Sequence, residues 1–252
     1  MITGFEVKEG TKEEQVLFFK KVILTDNTKR VCLLLGANGS GKTTLIDGLY
    51  PNQFSGKSGI VVAVDKATKT IIYRNHEDNL RHMADNRYNP DCKLIVEKMR
   101  ANYLSEGQSI IYSVKNIFDI ADDATKEFPE EDLVFLLDEV DSGLSVDNVQ
   151  YVCTRIKKAL KKNPNLQFVI AFNNYHFVQE FKYCVSMYSG EEVKIDSYEE
   201  YVKFINDNKA DLKKKRKNNM MTGNFLDGGG KKKKQYTRGK SVKSNSGNLF
   251  EF

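Results

Sequence analysis

Apolar residues fall along this chain in short runs and at helical spacing, a pattern that predicts alternating strands and helices. Segments 109–125 and 198–208 carry apolar side chains three or four positions apart, as in helices with one buried face. Segments 1–7 and 16–24 predict strands around a turn at Gly10–Lys12, which together would form an N-terminal β layer. Apolar runs predict the remaining strands, namely Val31–Leu35, Thr70–Tyr73, Asp132–Glu139, Phe168–Asn174 and Tyr183–Tyr188. The arrangement indicates an α/β protein.

Length and composition predict one sizeable domain with a real core. The chain has 252 residues, of which 40% are hydrophobic. No apolar run approaches the roughly 18 residues that a membrane-spanning helix needs, and no apolar leader precedes the first predicted strand. The four cysteines show no metal-ligand spacing, so we expect them to be reduced. These features predict a cytoplasmic protein and argue against a membrane partner.

Positive charge is concentrated at the C-terminal end. Residues 213–252 contain 12 Lys and Arg against two acids, a net charge of +10, whereas the whole chain carries +5, which leaves −5 for residues 1–212. Two like-charge blocks, 213–217 and 231–234, flank a triple glycine, and such segments bury too little apolar surface to fold. We therefore predict a folded domain at 1–212 and a flexible basic tail at 213–252, most of it disordered. We expect this tail to contact nucleic acid; the alternatives are that it is simply solvated or that it binds an anionic membrane.

A glycine-rich loop joins the strand Val31–Leu35 to a helix beginning near Leu45, and it predicts a site for nucleoside triphosphate. Glycines let successive backbone N–H groups point at phosphate oxygens, and the helix adds its positive end. Lys42 is placed to reach the β and γ phosphates, and the Thr43 hydroxyl to bind Mg²⁺. The predicted ATP-binding residues of this loop are Gly36, Asn38, Gly39, Ser40, Gly41, Lys42, Thr43 and Thr44.

Two later segments give this loop a specific context. The sequence Leu104–Gln108, here called the signature, precedes the helix predicted at 109–125. The apolar strand from Asp132 ends in Asp138 and Glu139, which suits Mg²⁺ binding by the first carboxylate and polarisation of water by the second. An Asp-Ser-Gly-Leu-Ser stretch, residues 141–145, follows directly.

In this order the motifs resemble those of the ATP-binding cassette superfamily over roughly residues 1–190. The resemblance implies a P-loop NTPase fold with a mixed sheet, an N-terminal antiparallel β layer and a reduced helical subdomain. It implies a Mg²⁺-dependent ATPase in which two copies pair head to tail across ATP. Glu139 would be the general base, Lys42 would bind phosphate, and Thr43 and Asp138 would hold the metal. Across the dimer, the partner's ATP would meet Ser105, Gly107 and Gln108.

The chain departs from that family pattern at two positions. Asn173 stands where the resemblance implies a switch histidine; it can donate a hydrogen bond to a γ-phosphate but cannot take up a proton. His176 is an alternative, although a surface or packing role suits it better. The family's glutamine-loop position is also open, with Gln53, Asn75 and His76 as candidates.

The compact insert favours one branch of that superfamily. Only 62 residues separate Lys42 from Ser105, and no heptad repeat is visible there. This length suits a relative of the DNA-maintenance ATPases that lacks their coiled-coil arms, with a role in repair, recombination, replication or defence. The alternatives are the energising subunit of a membrane transporter and a slow regulatory switch, the latter favoured by Asn173.

The last residues of the chain break the polar pattern of the tail. Leu249, Phe250 and Phe252 form a hydrophobic-acidic end with Glu251. This end resembles the short peptides by which replication proteins dock into sliding clamps. Packing back onto the domain and a frayed end are the alternatives.

Overall fold

The computed structural model describes residues 1–50, 59–65, 68–74, 115, 117–119, 121–123, 125–127 and 129–221, with side chains omitted at 68–74 and after residue 209. The strands, numbered in chain order, are β1 (Ile2–Val7), β2 (Lys21–Ile23), β3 (Val31–Leu35), β4 (Ile60–Val64), β5 (Thr68–Arg74), β6 (Asp132–Asp138), β7 (Leu166–Ala171), β8 (Tyr183–Ser186) and β9 (Glu192–Lys194). The helices are α1 (Lys12–Val16), α2 (Lys42–Leu49), α3 (Val146–Lys162), α4 (Tyr175–Phe181) and α5 (Tyr198–Met221). The described residues between 115 and 127 are also helical.

The main sheet has the strand order β5-β6-β7-β3-β8-β9. The first five of these strands pair in parallel, and β9 pairs antiparallel with β8. Strand β3, which leads into the glycine-rich loop, therefore lies between β7 and β8, with β6 one strand further out. The carboxyl ends of β3, β6 and β7 meet at one edge, where α/β sheets place their ligands.

A second sheet, β2-β1-β4, is antiparallel and forms the N-terminal layer that the sequence predicts. The strand predicted at 16–24 is wrong in extent: Val16 ends helix α1, and only Lys21–Ile23 is a strand. The predicted turn is present at Glu9 and Gly10, but Lys12 already begins α1, where the Thr11 side chain accepts a hydrogen bond from the Glu14 N–H at the helix N-terminus.

Two apolar layers enclose the main sheet. On β3, Val31, Leu33 and Leu35 face the layer formed with α3, α4 and α5, and Cys32 and Leu34 face the layer formed with α2 and the antiparallel sheet. Burial on both faces explains why β3, β6 and β7 are uninterrupted apolar runs in the sequence. These strands are therefore rigid supports for whatever their carboxyl ends carry.

Helix α3 illustrates how sequence pattern sets packing. Its buried side chains recur every three or four positions, and they are Val149, Val152, Cys153, Ile156 and Ala159. The same holds for the helical residues Ile117, Phe118 and Ala121, which enter the same core. Cys32, Cys153 and Cys184 are buried and unpaired, and burial raises the pKa of Cys153 and of Cys184 to about 12, so both stay protonated.

Helix α5 runs further than the sequence suggests. The predicted segment 198–208 is helical, and Tyr201 and Ile205 pack on the core, joined by Phe204. The helix then continues to Met221, so the first lysine block, 213–217, has a helical backbone, in a tail that the sequence predicts to be disordered for most of its length. Consecutive lysines have adequate helix propensity, and a helix already anchored at Tyr201 needs no new nucleus to extend. Among the described residues, no helix is long and apolar enough to span a membrane.

Candidate nucleotide site

The glycine-rich loop connects β3 to α2 and turns sharply in two places. Gly39 has φ +82° and Gly41 has φ +93°, in the left-handed region that favours glycine. A Cβ on Gly41 would lie 2.8 Å from Leu17 Cδ2, so the loop passes directly over the end of α1. Asn38 and Gly39 are exposed at the top of the loop, whereas Ser40, Gly41 and Lys42 are buried. The loop thus offers backbone N–H groups to solvent on a firmly packed base.

The base of the loop is close-packed against strand β8. A Cβ on Gly36 would lie 2.4 Å from Ser40 Oγ and 2.9 Å from Met187 Cβ. Ser40 Oγ is itself buried and has no hydrogen-bond partner among the described residues. A buried hydroxyl without a partner is costly, and a phosphate oxygen above the loop would satisfy it.

Lys42 begins α2, and its side chain folds over the loop. The Nζ donates a hydrogen bond to the Gly36 carbonyl at 2.7 Å, and the residue is 6% exposed. Burial lowers the pKa of Lys42, while the nearby carboxylates of Glu139, Asp141 and Asp138 oppose that shift. Lys42 therefore has three acids near it, and their negative charge opposes the approach of a phosphate.

Asp138 ends strand β6 beside the start of α2. It is 2% exposed, and its Oδ1 has no hydrogen-bond partner among the described residues. Burial raises the pKa of Asp138 to about 6, against a hydrogen bond from the Thr43 side chain that lowers it. A carboxylate and a hydroxyl at a phosphate site are the protein ligands that Mg²⁺ takes, with phosphate and water oxygens completing its shell. The residues present fit Mg²⁺, and the described chain contains no group of three or more His, Cys, Asp or Glu that would hold a metal without a nucleotide.

Glu139 has a strained backbone. Its φ is +49°, a left-handed conformation that costs a non-glycine residue about 1–2 kcal/mol. Two hydrogen bonds hold it there: the Glu139 N–H donates to the Ala171 carbonyl at 3.0 Å, and the Ser142 N–H donates to the Glu139 carbonyl at 3.0 Å. The turn directs the chain away from the sheet directly after Asp138 and leaves the Glu139 side chain half-buried.

Asp141 links this edge of β6 to the end of β7. Its Oδ2 accepts hydrogen bonds from the backbone N–H groups of Asn173, at 2.7 Å, and Asn174, at 2.5 Å. Burial raises the pKa of Asp141, and these two N–H donors oppose the shift. The residue lies in the 141–145 stretch that the sequence singled out, but its role as a brace for the Asn173 loop could not be read from the motif.

Asn173 and His176 occupy different environments. Strand β7 ends at Ala171, earlier than the predicted strand end at Asn174, so Asn173 lies in a loop with an exposed side chain. Asn174 forms the N-terminal cap of α4 by accepting the His176 backbone N–H at 3.0 Å. His176 is therefore fixed in the first turn of α4. Asp141 thus holds the backbone of the loop that contains Asn173, and the choice of Asn173 over His176 stays a prediction.

The structure adds a residue that no motif indicated. The Tyr188 hydroxyl accepts a hydrogen bond from the Ala37 N–H at 2.9 Å and so holds the first turn of the glycine-rich loop. The Tyr188 ring in turn packs edge-on against Phe18, with centroids 5.9 Å apart. Of the aromatic residues near the N-terminus, Phe5 and Phe19 are core residues, whereas Phe18 is half-buried beside the loop.

The structure therefore brings most of the sequence-predicted site together. The residues at one sheet edge are Gly36, Asn38, Gly39, Ser40, Gly41, Lys42, Thr43, Thr44, Asp138, Glu139 and Asn173. The signature residues Ser105, Gly107 and Gln108 lie outside the described residues. So do the glutamine-loop candidates Gln53, Asn75 and His76 and the terminal Leu249, Phe250 and Phe252.

Comparison with solved structures identifies the fold. No family model and no characterised protein matches the sequence. The ATP-binding cassette MJ1267 of an ABC transporter superposes with a TM-score of 0.51 at 15% identity, over 84% of this chain and 99% of that one. This chain has the fold of an ATP-binding cassette. The fold of the cassette is shared equally by an Smc head bound to the C-winged helix domain of ScpA, with a TM-score of 0.50 at 13% identity over 80% of this chain and 99% of that one. An ATP-binding subunit of an ABC transporter gives 0.50 at 15% identity over 81% and 99%.

Proposed function

We propose that this protein is a Mg²⁺-dependent ATPase that dimerises head to tail on ATP and acts in nucleic-acid transactions. The observation that carries the first part is the convergence of Lys42, Asp138 and Glu139 at the carboxyl ends of β3 and β6. Cassette-fold proteins of transporters and of the Smc head share this architecture.

The charges at the site explain why the nucleotide would arrive with a metal. Asp138, Glu139 and Asp141 lie around Lys42, and together they repel a polyphosphate. Mg²⁺ bound by Asp138 and Thr43 would neutralise charge on the β and γ phosphates. Lys42 can then exchange its bond with the Gly36 carbonyl for phosphate oxygens.

Glu139 is the proposed general base. Glu139 follows the proposed metal ligand by one residue, at the left-handed turn that ends the strand. Glu139 would accept the proton of the water that attacks the γ-phosphate, while Asn173 would donate a hydrogen bond to that phosphate. Of these two groups, Glu139 would take the proton, because the Asn173 amide cannot titrate.

The dimer follows from the proposed division of the site between two copies. One copy supplies Lys42, and Ser105 with Gly107 of the partner would cover the γ-phosphate. A ligand that binds the paired state alone shifts the population toward it, and hydrolysis releases the pair. ATP would therefore act both as substrate and as the switch for assembly.

Nucleic acid is proposed as the target because the net positive charge of the chain comes from its C-terminal segment. Residues 1–212 carry −5 and residues 213–252 carry +10. Five consecutive basic residues, 213–217, occupy more than one turn of the backbone of α5. Such a concentration of charge binds phosphate backbones with a steep dependence on salt.

The experiment measures phosphate release with Mg²⁺-ATP, with and without single- and double-stranded DNA and RNA. The full chain with residues 213–217 changed to glutamine, and a second with Lys231–Lys234 changed to glutamine, test the basic blocks. We expect stimulation by one of the nucleic acids, loss of stimulation in at least one variant, and unchanged basal rates in both. No stimulation by any nucleic acid would remove the nucleic-acid part of the proposal.

A transporter subunit is the second candidate, because cassettes of ABC transporters are among the structures with the same fold. This alternative predicts that the protein co-purifies with a membrane permease and that DNA and RNA leave its ATPase rate unchanged. It also predicts that neutralising residues 213–217 has no effect on any function of the site.

A further inference from the structure

Helix α5 begins with a cluster of aromatic rings that spans the two loops of the site. On α5, Tyr198, Tyr201 and Phe204 recur every three residues. Tyr175 of α4 packs on the first two, with ring centroids 5.2 and 5.4 Å away. Phe204 packs on Tyr188, with centroids 5.8 Å apart. This α5 ring cluster therefore contacts the segment after β7 and the segment after β8.

Two phenol groups of this cluster form hydrogen bonds with loop backbone. The Tyr201 hydroxyl donates to the Asn173 carbonyl at 3.0 Å. The Tyr188 hydroxyl accepts the Ala37 N–H at 2.9 Å. The first bond lies at the loop proposed to face the γ-phosphate, and the second lies at the start of the phosphate-binding loop.

These bonds replace the strand partners that the loop residues lack. The Asn173 N–H is bound by Asp141 and its carbonyl by Tyr201, so side chains take both backbone polar groups of an otherwise exposed residue. Burial raises the pKa of Tyr201 to about 12, so its hydroxyl keeps its proton and remains a donor near neutral pH. The backbone of Asn173 is thereby held from α5 on one side and by Asp141 on the other.

We propose that Tyr201 and Tyr188 are positioning residues, Tyr201 for the Asn173 amide during hydrolysis and Tyr188 for the phosphate-binding loop during nucleotide binding. The proposal rests on the ATPase function proposed above. The two tyrosines do not touch the reacting atoms; each acts through one backbone group. They should therefore change different kinetic constants.

The primary test compares two hydroxyl deletions. Tyr201→Phe should lower kcat on the order of three- to tenfold, the effect of one neutral hydrogen bond, with KM for ATP within twofold. Tyr188→Phe should raise the Kd for ADP and for ATP by a similar factor, with kcat at saturating ATP within twofold. Tyr198→Phe is the matched control, because its ring lies in the same cluster while the residue is 57% exposed. Wild-type constants in both variants, or the same loss of kcat and affinity in both, would overturn the proposal.

A double-mutant cycle separates positioning from general loosening. In an Asn173→Ala background, Tyr201→Phe should have no further effect on kcat, because the side chain that it positions is gone. An equal effect in both backgrounds overturns the role of Tyr201. Phe204→Leu removes the ring packed on Tyr188 but keeps the phenol, and it should raise the Kd for ADP; an unchanged Kd contradicts the role of the cluster.

The outcomes distinguish this proposal from the proposed function. A wild-type protein that releases no phosphate from Mg²⁺-ATP would refute the ATPase function and with it the role of Tyr201. An active wild type with Tyr201→Phe and Tyr188→Phe unchanged would refute the positioning roles alone. Melting temperatures of each variant, measured without nucleotide, identify any loss that arises from unfolding.

Discussion

The two sides of the nucleotide site are built in different ways. On the strand side, Asp138 and Glu139 lie at the end of β6, and Lys42 begins the helix reached from β3 through the glycine-rich loop. Both strands are buried on both faces, and Lys42 and Asp138 are themselves buried. On the loop side, Asn173 is exposed and is held by Asp141 and Tyr201, side chains from elsewhere in the chain. The strand side carries the charges that chemistry needs, and its precision comes from the sheet. The loop side carries one neutral amide, and its precision comes from a few replaceable hydrogen bonds.

The largest expected effect is loss of the general base on the strand side. Glu139→Gln should lower kcat by about 10²–10⁴-fold, because the amide cannot accept a proton. ATP should still bind, so the variant should accumulate as an ATP-bound dimer, visible by size-exclusion chromatography with light scattering. Glu130→Gln, an exposed carboxylate in the loop before β6, is the control and should behave as wild type.

The second-largest effect is expected from removing the phosphate-binding cation. Lys42→Ala should lower kcat/KM by about 10²–10³-fold, the range for removal of one preorganised electrostatic group. ADP binding, measured by calorimetry, should weaken as well. The exposed Lys126, in the helical segment between 115 and 127, gives the control Lys126→Ala. Nucleotide affinity equal to wild type in Lys42→Ala would place the phosphates elsewhere.

The ionisation of Asp138 should make Mg²⁺ binding depend on pH. Its pKa of about 6 means that the carboxylate is progressively protonated below that pH, so Mg²⁺ affinity should fall about tenfold per pH unit below about 6. The rate at subsaturating Mg²⁺ reports this loss. A flat profile between pH 7 and pH 5 would exclude Asp138 as the metal ligand.

The same shift has the opposite sign for stability. Because the fold raises the pKa of Asp138 above its ordinary value, ionisation opposes folding, and this destabilisation is full above about pH 6 and is relieved as the pH falls. Asp138→Asn should therefore stabilise the metal-free protein at pH 8, by at most about 3 kcal/mol, while removing activity. Asp147→Asn is the contrasting control, because hydrogen bonds lower the pKa of Asp147 and its loss should destabilise slightly.

The smallest effect is expected on the loop side. Asn173→Ala should lower kcat by about three- to tenfold, the effect of one neutral hydrogen bond. Asn173→His restores a group that can share a proton and should make the rate depend on pH near 6.5. The comparison fails if Asn173→Ala abolishes activity as completely as Glu139→Gln, since the two sides would then be equally essential.

What the sequence could and could not predict follows the same division. The glycine-rich loop, Asp138 and Glu139 were predictable because strand, motif and helix are contiguous, and the strands are marked by apolar runs. The hydrogen bonds that hold the two loops were not predictable, because their partners are distant in sequence. Tyr188 and Ala37 are 151 positions apart, and Tyr201 and Asn173 are 28 positions apart. The strand predicted at 16–24 was wrong in extent because its apolar residues belong to two elements, the end of α1 beside the glycine-rich loop and the short strand β2. The spacing of apolar residues alone does not distinguish two such short elements from one strand.

Helix α5 connects the aromatic rings beside the site to the first lysine block. From Tyr201 to Met221 the helix is about 30 Å long, at 1.5 Å per residue. Its N-terminal part packs on the aromatic rings beside the nucleotide site, and its C-terminal part contains the lysine block. A polyanion bound to residues 213–217 would thus be connected, through one continuous helix, to the loop that contains Asn173 and to the glycine-rich loop.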